Sequence, residues 1–163
     1  MASIRENFVK TIDPDPALSH RFGVFFFIGG VLPNPIDFRF QRVSGLNTEV
    51  QLETVNEGGE NLHAHRLPGK ITYNNLVLER GYSTGVVPSP LNLEFNLTLS
   101  TFKFFPSNVV VMLFNEAGIP IGSWHFMKAY PVKWSVSDLD AGSNSVLIDT
   151  MELAYTRFQT IRI

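Results

Sequence analysis

The sequence predicts a mainly β protein with at most one helix. Short segments rich in Phe, Val and Leu alternate apolar and polar side chains, which is the period of a half-buried strand. Clusters of Gly, Pro, Asn and Asp separate these segments, as at Gly29-Gly30 and at 115–118. Only the stretch 91–105 also fits the apolar spacing of a helix. These observations favour a β-rich domain with no repeat architecture.

Size and composition limit the classes of protein that fit. The 163 residues suffice for one domain of ordinary size. Hydrophobic residues make up 44% and charged residues 17%, which supports a buried core. With 13 Lys and Arg against 15 Asp and Glu, the chain lacks the positive field of a general nucleic-acid binder. The absence of Cys excludes disulfides, Cys-ligated metals and a thiol nucleophile.

The first 20 residues are predicted to form an arm, 1–20, ahead of a β domain that spans 21–163. Asp13-Pro14-Asp15-Pro16 disfavours helix, and the arm has too few apolar residues for a core of its own. Such an arm is either loose or ordered by a neighbouring subunit, and in the second case Phe8 is the expected anchor. No secretion signal is predicted, and the longest apolar run is too short to span a bilayer.

Eight segments carry the strand signal. In order they are 21–28, 37–43, 49–55, 71–80, 108–114, 120–127, 131–136 and 145–155. Ser44-Gly45-Leu46-Asn47 is predicted to join the second and third of these into a hairpin with one apolar and one charged face. The segments 57–69 and 81–90 contain Gly and Pro without strand alternation, so they are predicted loops.

The stretch 91–105 supports two structures. A strand is indicated by the alternation of Leu91, Leu93, Phe95, Leu97 and Leu99. A helix is indicated by the stripe of Leu91, Phe95, Leu99 and Phe102, with Ser89-Pro90 as N-cap and first helical residue. Because Asn92, Asn96 and Thr98 are poor helix formers, local preference alone slightly favours the strand.

Two groups of side chains were candidates for chemistry. His63 and His65 lie on one side of an extended chain, and Glu57 or Glu60 could complete a metal site. No ligand spacing extends beyond that pair, so a solvated loop is the better interpretation and no metal is predicted.

The second group is Asp138, Asp140 and Asp149, which could supply a carboxylate pair for acid–base catalysis. Asp-Leu-Asp-Ala-Gly is more typical of a turn, in which Asp side chains bond the backbone. Neither a Gly-x-Ser-x-Gly elbow nor a phosphate-binding loop occurs. We therefore predict no catalytic residue, no enzymatic activity and no cofactor, which suits a subunit that assembles.

Seven short motifs stand in a definite order between Arg21 and Phe158. They are Val43-Ser44-Gly45-Leu46, Glu57-Gly58-Gly59-Glu60-Asn61, Arg66-Leu67-Pro68-Gly69-Lys70, Leu76-Val77-Leu78-Glu79-Arg80-Gly81, Asn115-Glu116-Ala117-Gly118, the run 124–134 and Asp149-Thr150-Met151-Glu152-Leu153-Ala154. Together they resemble the inner tail-tube protein family of contractile phages and phage tail-like contractile injection systems. The family has a charged, Trp-bearing helix where this chain is apolar, which suggests a tube-initiating or baseplate-proximal paralogue.

The resemblance implies two packed antiparallel β-sheets with one flanking helix, and it favours the helix for 91–105. It implies six copies in a ring, stacked rings, and a β-barrel formed by several subunits around a lumen. The expected partners are other copies of the chain and the tube, sheath or baseplate proteins of one particle, with no nucleic-acid motif and no membrane segment. Assembly is expected in the cytoplasm, as part of a phage tail-like particle.

The expected site residues follow from the alternation and from the resemblance. The lumen-facing candidates are Asp37, Arg39, Gln41, Glu49, Gln51 and Glu53. The candidates for contacts between subunits or rings are Phe8, Glu57, Glu60, Asn61, His63, His65 and Arg66. On the opposite face, a charge in place of Phe38 or Leu52 is expected to prevent folding, because it would be buried without a partner.

Two other functions stay open at the level of sequence. One is a monomeric β-barrel that binds a small apolar ligand in a pocket lined by Phe side chains. The other is a β-rich hydrolase that uses the region around Asp138 and Asp140. The native mass separates these from a ring-forming subunit, because both predict monomers or small oligomers.

Overall fold

The computed structural model describes residues 21–28, 32–33, 39–55, 58–59, 64–82, 90–142 and 144–162. The strands are β1 (Phe22–Ile28), β2 (Leu32–Pro33), β3 (Arg42–Ser44), β4 (Thr48–Val55), β5 (His65–Tyr73), β6 (Leu76–Gly81), β7 (Ser107–Phe114), β8 (Pro120–Val136), β9 (Ile148–Ala154) and β10 (Arg157–Arg162), and the helix is α1 (Pro90–Thr101). The predicted mainly β, antiparallel architecture is confirmed, with one helix among the described residues.

Two halves of the fold share the long strand β8. The first half of β8 lies between β7 and β10, and β1 and β2 continue the sheet beyond β7; we call this sheet A. The second half of β8 pairs with β9, which is followed by β6 and β3; we call this sheet B. The predicted segments 120–127 and 131–136 are therefore one strand, which passes from one sheet into the other.

A bulge marks the place where β8 changes sheets. Ser107 pairs with Ala129 but Val109 pairs with Phe126, so β8 carries an extra residue here. Lys128 takes a left-handed φ of 54° in this bulge. Its backbone N–H has no partner in the interrupted ladder and donates instead to Asn108 Oδ1 at 3.1 Å. Such a bulge bends the strand, so both halves can face one core.

The core lies between the two sheets. Alternate residues of β1, β7 and the first half of β8 point inward from sheet A, and alternate residues of β6 and β9 point inward from sheet B. The fully or nearly fully buried members are Val24, Phe26, Leu76, Leu78, Val109, Val111, Phe126, Ala129, Met151 and Leu153. The period-two pattern that predicted these strands is therefore the pattern that forms the core.

The helix α1 covers one side of this core. Phe95 and Thr98 are buried, and the Phe95 ring lies 5.0 Å from the ring of Trp134 on β8. Pro90 is its first residue, as expected for a helix start. The hydroxyls of Ser100 and Thr101 both donate to the Leu97 carbonyl and compete with the backbone at the end of the helix. The predicted helix in 91–105 is confirmed with bounds 90–101.

A two-stranded ribbon, β4 and β5, extends beyond sheet B. Its register continues that of β3 and β6: Val43 pairs with Leu78, and Val50 pairs with Ile71, at equal distances along both strands. Gly45 interrupts the first strand with a φ of 85°, and a Cβ there would lie only 2.0 Å from the Asn75 carbonyl oxygen. The two strand pairs thus form one long hairpin with a joint at Gly45.

This hairpin corrects the predicted pairing of 37–43 with 49–55. The alternation correctly indicated a strand at 48–55, but its partner is β5, and β3 pairs with β6. Ser44-Gly45-Leu46-Asn47 is therefore a joint within a strand and not a hairpin turn. Alternation alone fixes the face of a side chain but not the partner of its strand.

Three boundaries also differ from the sequence prediction. The expected loop 57–69 is shorter, because residues 65–69 belong to β5, and Pro68-Gly69 fits there through a bulge opposite Gln51. The predicted strand 71–80 is divided between β5 and β6, and β9 begins at Ile148 rather than Ser145. The strand β10 was missed, because Arg157–Arg162 holds only two apolar residues among polar ones.

Candidate assembly interface

The ribbon exposes apolar side chains that a single subunit does not bury. Val50, Leu52 and Ile71 are exposed, the last two by 51% and 54%. This corrects the prediction that Leu52 is buried by folding: its strand alternates as expected, but the apolar face meets no second sheet among the described residues. Leu52 therefore belongs to a surface and not to the core.

The two faces of the ribbon differ in chemistry. Residues paired across an antiparallel ladder share a face, so Val50 with Ile71 and Leu52 with Pro68 lie on one side. We call this the apolar face. Glu49, Gln51 and Glu53 lie on the other side, which we call the polar face, as β4 alternates without interruption. The apolar face continues the core side of sheet B, because Tyr73 contacts Tyr155 at a ring distance of 5.5 Å.

The polar face continues onto the outward side of sheet B. Two ion pairs lie there, Arg42 with Glu79 at 3.9 Å and Lys133 with Glu152 at 2.9 Å. The hydrogen bond from Lys133 lowers the pKa of Glu152 below its ordinary value. Each pair joins two neighbouring strands, so this side of sheet B is a solvated, charged surface with both signs interspersed.

The predicted lumen-facing residues are only partly brought together. Glu49, Gln51 and Glu53 share the polar face of the ribbon, as their alternation indicated. Arg39 and Gln41 are exposed but precede β3 in irregular backbone, so alternation does not fix their side. Asp37 and Phe38 lie outside the described residues. Sequence reasoning missed Arg42, Glu79, Lys133 and Glu152, which only the strand register places on one surface.

The predicted contact residues are mostly outside the part of the chain that the structure describes. That applies to Phe8, Glu57, Glu60, Asn61 and His63. His65 and Arg66 are the first residues of β5, and they pair with Val55 and Thr54 at the outer end of the ribbon. Because they are adjacent in a strand, they point to opposite faces of the ribbon.

Within the described part of the chain, both outer edges of sheet B are unpaired. Among the described strands, β3 pairs with β6 alone, and residues 130–136 of β8 pair with β9 alone. Val132 and Val136 on the second edge are exposed. Unpaired edges that carry apolar side chains are templates for another strand, and globular proteins normally protect them.

An aromatic patch flanks the β8 edge just after α1. Phe102 and Phe105 are 81% and 63% exposed, and Phe104 packs on both Phe102 and Tyr130 at ring distances of 5.3 and 5.5 Å. Phe102 has a left-handed φ of 53°, which is an outlier for an aromatic residue. Phe102 directly follows the last residue of α1, where a left-handed residue commonly ends a helix, and its ring stays in solvent. We call Phe102, Phe104 and Phe105 the aromatic patch.

A buried ion pair lies at one end of the core. Arg80 Nε is 3.8 Å from Asp149 Oδ2, and the guanidinium lies over the rings of Phe40 and Trp134 at 5.8 and 5.9 Å. Burial raises the pKa of Asp149, and the charge of Arg80 and the side chain of Trp134 oppose that rise. Asp149 therefore forms an ion pair with Arg80 and not a carboxylate pair with Asp138 or Asp140.

The other two candidate carboxylates, Asp138 and Asp140, line one open cleft, of which Asp149 is not a lining residue. Asp138 and Asp140 belong to an exposed loop, where Asp140 Oδ1 accepts the Gly142 N–H at 2.9 Å as in an Asx turn. His63 is outside the described residues. Within the described ranges, three or more His, Asp or Glu side chains are nowhere placed to hold a metal ion. In the same ranges, α1 is neither long nor apolar enough to cross a membrane.

Between Phe26 and Phe95, the core leaves little room for a ligand. Phe26 and Phe95 line a cavity of about 10 Å³ together with Met151 and Leu153, and that volume is no larger than one water molecule. Phe126 packs against Tyr155 and Phe158. This cavity therefore does not provide the apolar ligand pocket of the monomeric alternative.

Comparison with known proteins identifies the family. The profile described as T4-like virus tail tube protein gp19 matches residues 18–159. The chain belongs to this tail tube family. It is a structural protein of the tail tube class. A search of curated proteins gives no match.

Solved structures of contractile particles contain similar chains. A chain of the anti-feeding prophage (AFP) baseplate is 43% identical, with a TM-score of 0.82 over 90% of this chain and 96% of that one. A chain of the sheath–tube complex of the extracellular contractile injection system PVC is 20% identical, with a TM-score of 0.77 over 95% and 97%. A chain of the AFP tube-terminating cap is 22% identical, with a TM-score of 0.75 over 91% and 92%.

Proposed function

We propose that this tail tube protein forms a ring of the inner tube at the baseplate end of a contractile injection system. The observation that carries the proposal is the half-exposed apolar face of the ribbon, which lies next to a four-stranded sheet with two free edges. A chain with these features is incomplete as a monomer. The 43% identity to a chain of the AFP baseplate supports a position at the baseplate end of the tube, because the identity to the chains of the tube and cap structures is about half as high.

Ring closure follows from the edges of sheet B. The β3 edge of one subunit can lie beside the β8 edge of the next, which is a head-to-tail contact that closes if the rotation per subunit allows it. Closure removes the exposed edges and makes one barrel from several subunits. Six copies per ring is the number implied by the family, and rings of the tube and the baseplate are the expected partners above and below.

The polar face of the ribbon and the outward side of sheet B would line the channel. Glu49, Gln51 and Glu53 would then face water together with the two ion pairs of sheet B. A wall of this kind suits a passage that must not bind what moves through it, because its charges are of both signs and partly paired. Arg39 and Gln41 are also proposed to face the channel.

The remaining proposals concern the role of the chain in the particle. Its function is structural, with no catalysis and no cofactor. It is assembled in the cytoplasm into a phage tail-like particle, together with tube, sheath and baseplate proteins. The segment 1–20 is proposed to be an arm outside the domain 21–163, held by a neighbouring subunit through Phe8.

Immunogold labelling of intact particles tests the proposed layer. A short epitope tag at the C-terminus marks the chain, and particles are imaged by electron microscopy. Gold at the baseplate end alone is the expected result. Gold along the whole tube would place the chain in the tube proper, and untagged particles set the background. Particles without gold, from cells that produce the tagged chain, would contradict the function itself.

A further inference from the structure

Two apolar surfaces flank opposite edges of sheet B. The apolar face of the ribbon extends past the end of β3, the strand at one edge, and the aromatic patch lies beside the β8 edge. Both are exposed, and the described residues of one subunit do not bring them together. A subunit that carries two such surfaces on opposite edges of one sheet has the form of a heterologous interface.

Both surfaces lie on the same side of sheet B. Tyr73 links the apolar face of the ribbon to Tyr155, which packs on the core residue Phe126. The helix that leads to the aromatic patch packs on the core side of sheet B through Phe95 and Trp134. When two copies place these edges side by side, the apolar face of one copy's ribbon and the aromatic patch of the next copy therefore lie on the same side of the joined sheet.

The exposed area suits a contact between subunits. Aromatic side chains bury roughly 200 Å² each, so the exposed fractions of Phe102, Phe104 and Phe105 amount to about 400 Å². A standard interface buries about 800 Å² on each partner, of which a little more than half is apolar. The aromatic patch alone thus supplies most of the apolar area that one such interface needs.

We propose that the occupant of the aromatic patch is a second copy of this chain, whose ribbon covers it with its apolar face. Val50, Leu52 and Ile71 of one subunit pack on Phe104 and Phe105 of its neighbour. This contact rests on the proposed ring and specifies how the ring closes. It also buries the Phe102 ring, which the subunit alone leaves in water.

Single engineered thiols test the contact, because the chain has no Cys. One preparation carries Ile71→Cys and another carries Phe105→Cys, both at exposed positions where the fold should tolerate the change. Mixed and oxidised, the two should give disulfide-linked dimers, whereas each alone should give none. An interface raises the effective concentration of the two thiols, so about tenfold more dimer is expected than from Glu49→Cys mixed with Phe105→Cys.

The outcomes separate this inference from the proposed function. No dimer in the mixture, while native mass shows closed rings in the same sample, overturns the contact and leaves the ring intact. Dimers in the Phe105→Cys preparation alone overturn it too, since they mean that the patch meets itself. Equal yield from the Glu49→Cys control, on the polar face, also overturns the contact, because the patch would then show no preference for the apolar face. Absence of rings from the wild-type chain in the same buffer counts against the ring.

Discussion

The sandwich core and the ribbon have the same sequence pattern, but their apolar side chains differ in burial. In both, apolar residues alternate with polar ones along antiparallel strands. The core residues Phe126 and Leu78 are fully buried, whereas Leu52 and Ile71 on the ribbon are half exposed. The difference arises because sheet A faces sheet B, while the ribbon extends past the joint at Gly45 to a place where no second sheet follows among the described strands.

This difference in burial means that the core contributes to folding and the ribbon to assembly. Burial in the core stabilises the subunit, at roughly 25 cal/mol per Å² of apolar surface. Further burial of the apolar face of the ribbon can only stabilise a complex, because the subunit leaves about half of that face exposed. Changes in the core should therefore act on subunit stability, and changes in the ribbon on association.

The largest effect on stability is expected from Phe126→Ala. The side chain is fully buried and contacts Tyr155 and Phe158, so its removal should cost about 3–5 kcal/mol in the free energy of unfolding. Leu52→Ala on the ribbon is the control, and it should change that free energy by less than about 0.5 kcal/mol. Urea unfolding of both variants measures the difference; equal losses would mean that the ribbon is part of the core.

The second largest loss of stability is expected when the buried ion pair of Arg80 and Asp149 is broken. Arg80→Met leaves Asp149 without its partner, so a loss of about 3 kcal/mol is expected. Adding Asp149→Leu should recover much of this loss, because the pair pays a desolvation cost that two apolar side chains avoid. A double-mutant cycle from urea unfolding measures it. Additive losses would show that the two side chains do not interact.

An intermediate effect is expected at the joint between core and ribbon. Gly45→Ala places a Cβ on a residue with a left-handed φ and against the Asn75 carbonyl oxygen, so it should cost about 2 kcal/mol or more. Gly118→Ala is the matched control, since Gly118 has a φ of 76° but open space around it. It should cost about 1 kcal/mol. If the two variants unfold alike, the close approach at Gly45 carries no energy.

The smallest effect concerns the dependence of stability on pH. Burial raises the pKa of Asp149 above its ordinary value of 3.8, so the folded state binds this proton more tightly than the unfolded chain. Its contribution to stability is complete below that value and falls as the pH rises through the raised pKa. Asp149→Asn should remove this decline, seen as a flatter plot of unfolding free energy against pH. A plot parallel to that of the wild type would contradict the assignment.

The sequence predicted the core better than the connections. The strands β1 and β7 were recognised because they are dense in Phe and Val and end at Gly or Asn turns. The partner of β4 was wrong, because Gly45 marks a turn in sequence but a joint in the structure. The strand β10 was missed, since it is covered on one face only and its sequence, RFQTIR, is mostly polar.

The candidate interface was predicted in part for the same physical reason. Alternation correctly placed Glu49, Gln51 and Glu53 on one face, since that depends only on the period of the strand. It assigned Leu52 to the core, because a pattern of apolar residues does not tell whether the subunit or a neighbour covers them. The aromatic patch had no sequence signal, since Phe102, Phe104 and Phe105 were interpreted as part of the helical or strand stretch.

A charge on the apolar face of the ribbon tests the central claim most directly. Leu52→Asp is compared with Gln51→Asp, which adds the same charge one residue away on the polar face. Thermal unfolding of the subunit and native mass are measured on each sample. We expect both variants to melt close to the wild type, because both positions are exposed. Gln51→Asp should form rings, and Leu52→Asp should remain a monomer because assembly would bury its unpaired charge. Wild-type ring yield from Leu52→Asp, or loss of its folded subunit, would contradict the claim that only assembly buries this face.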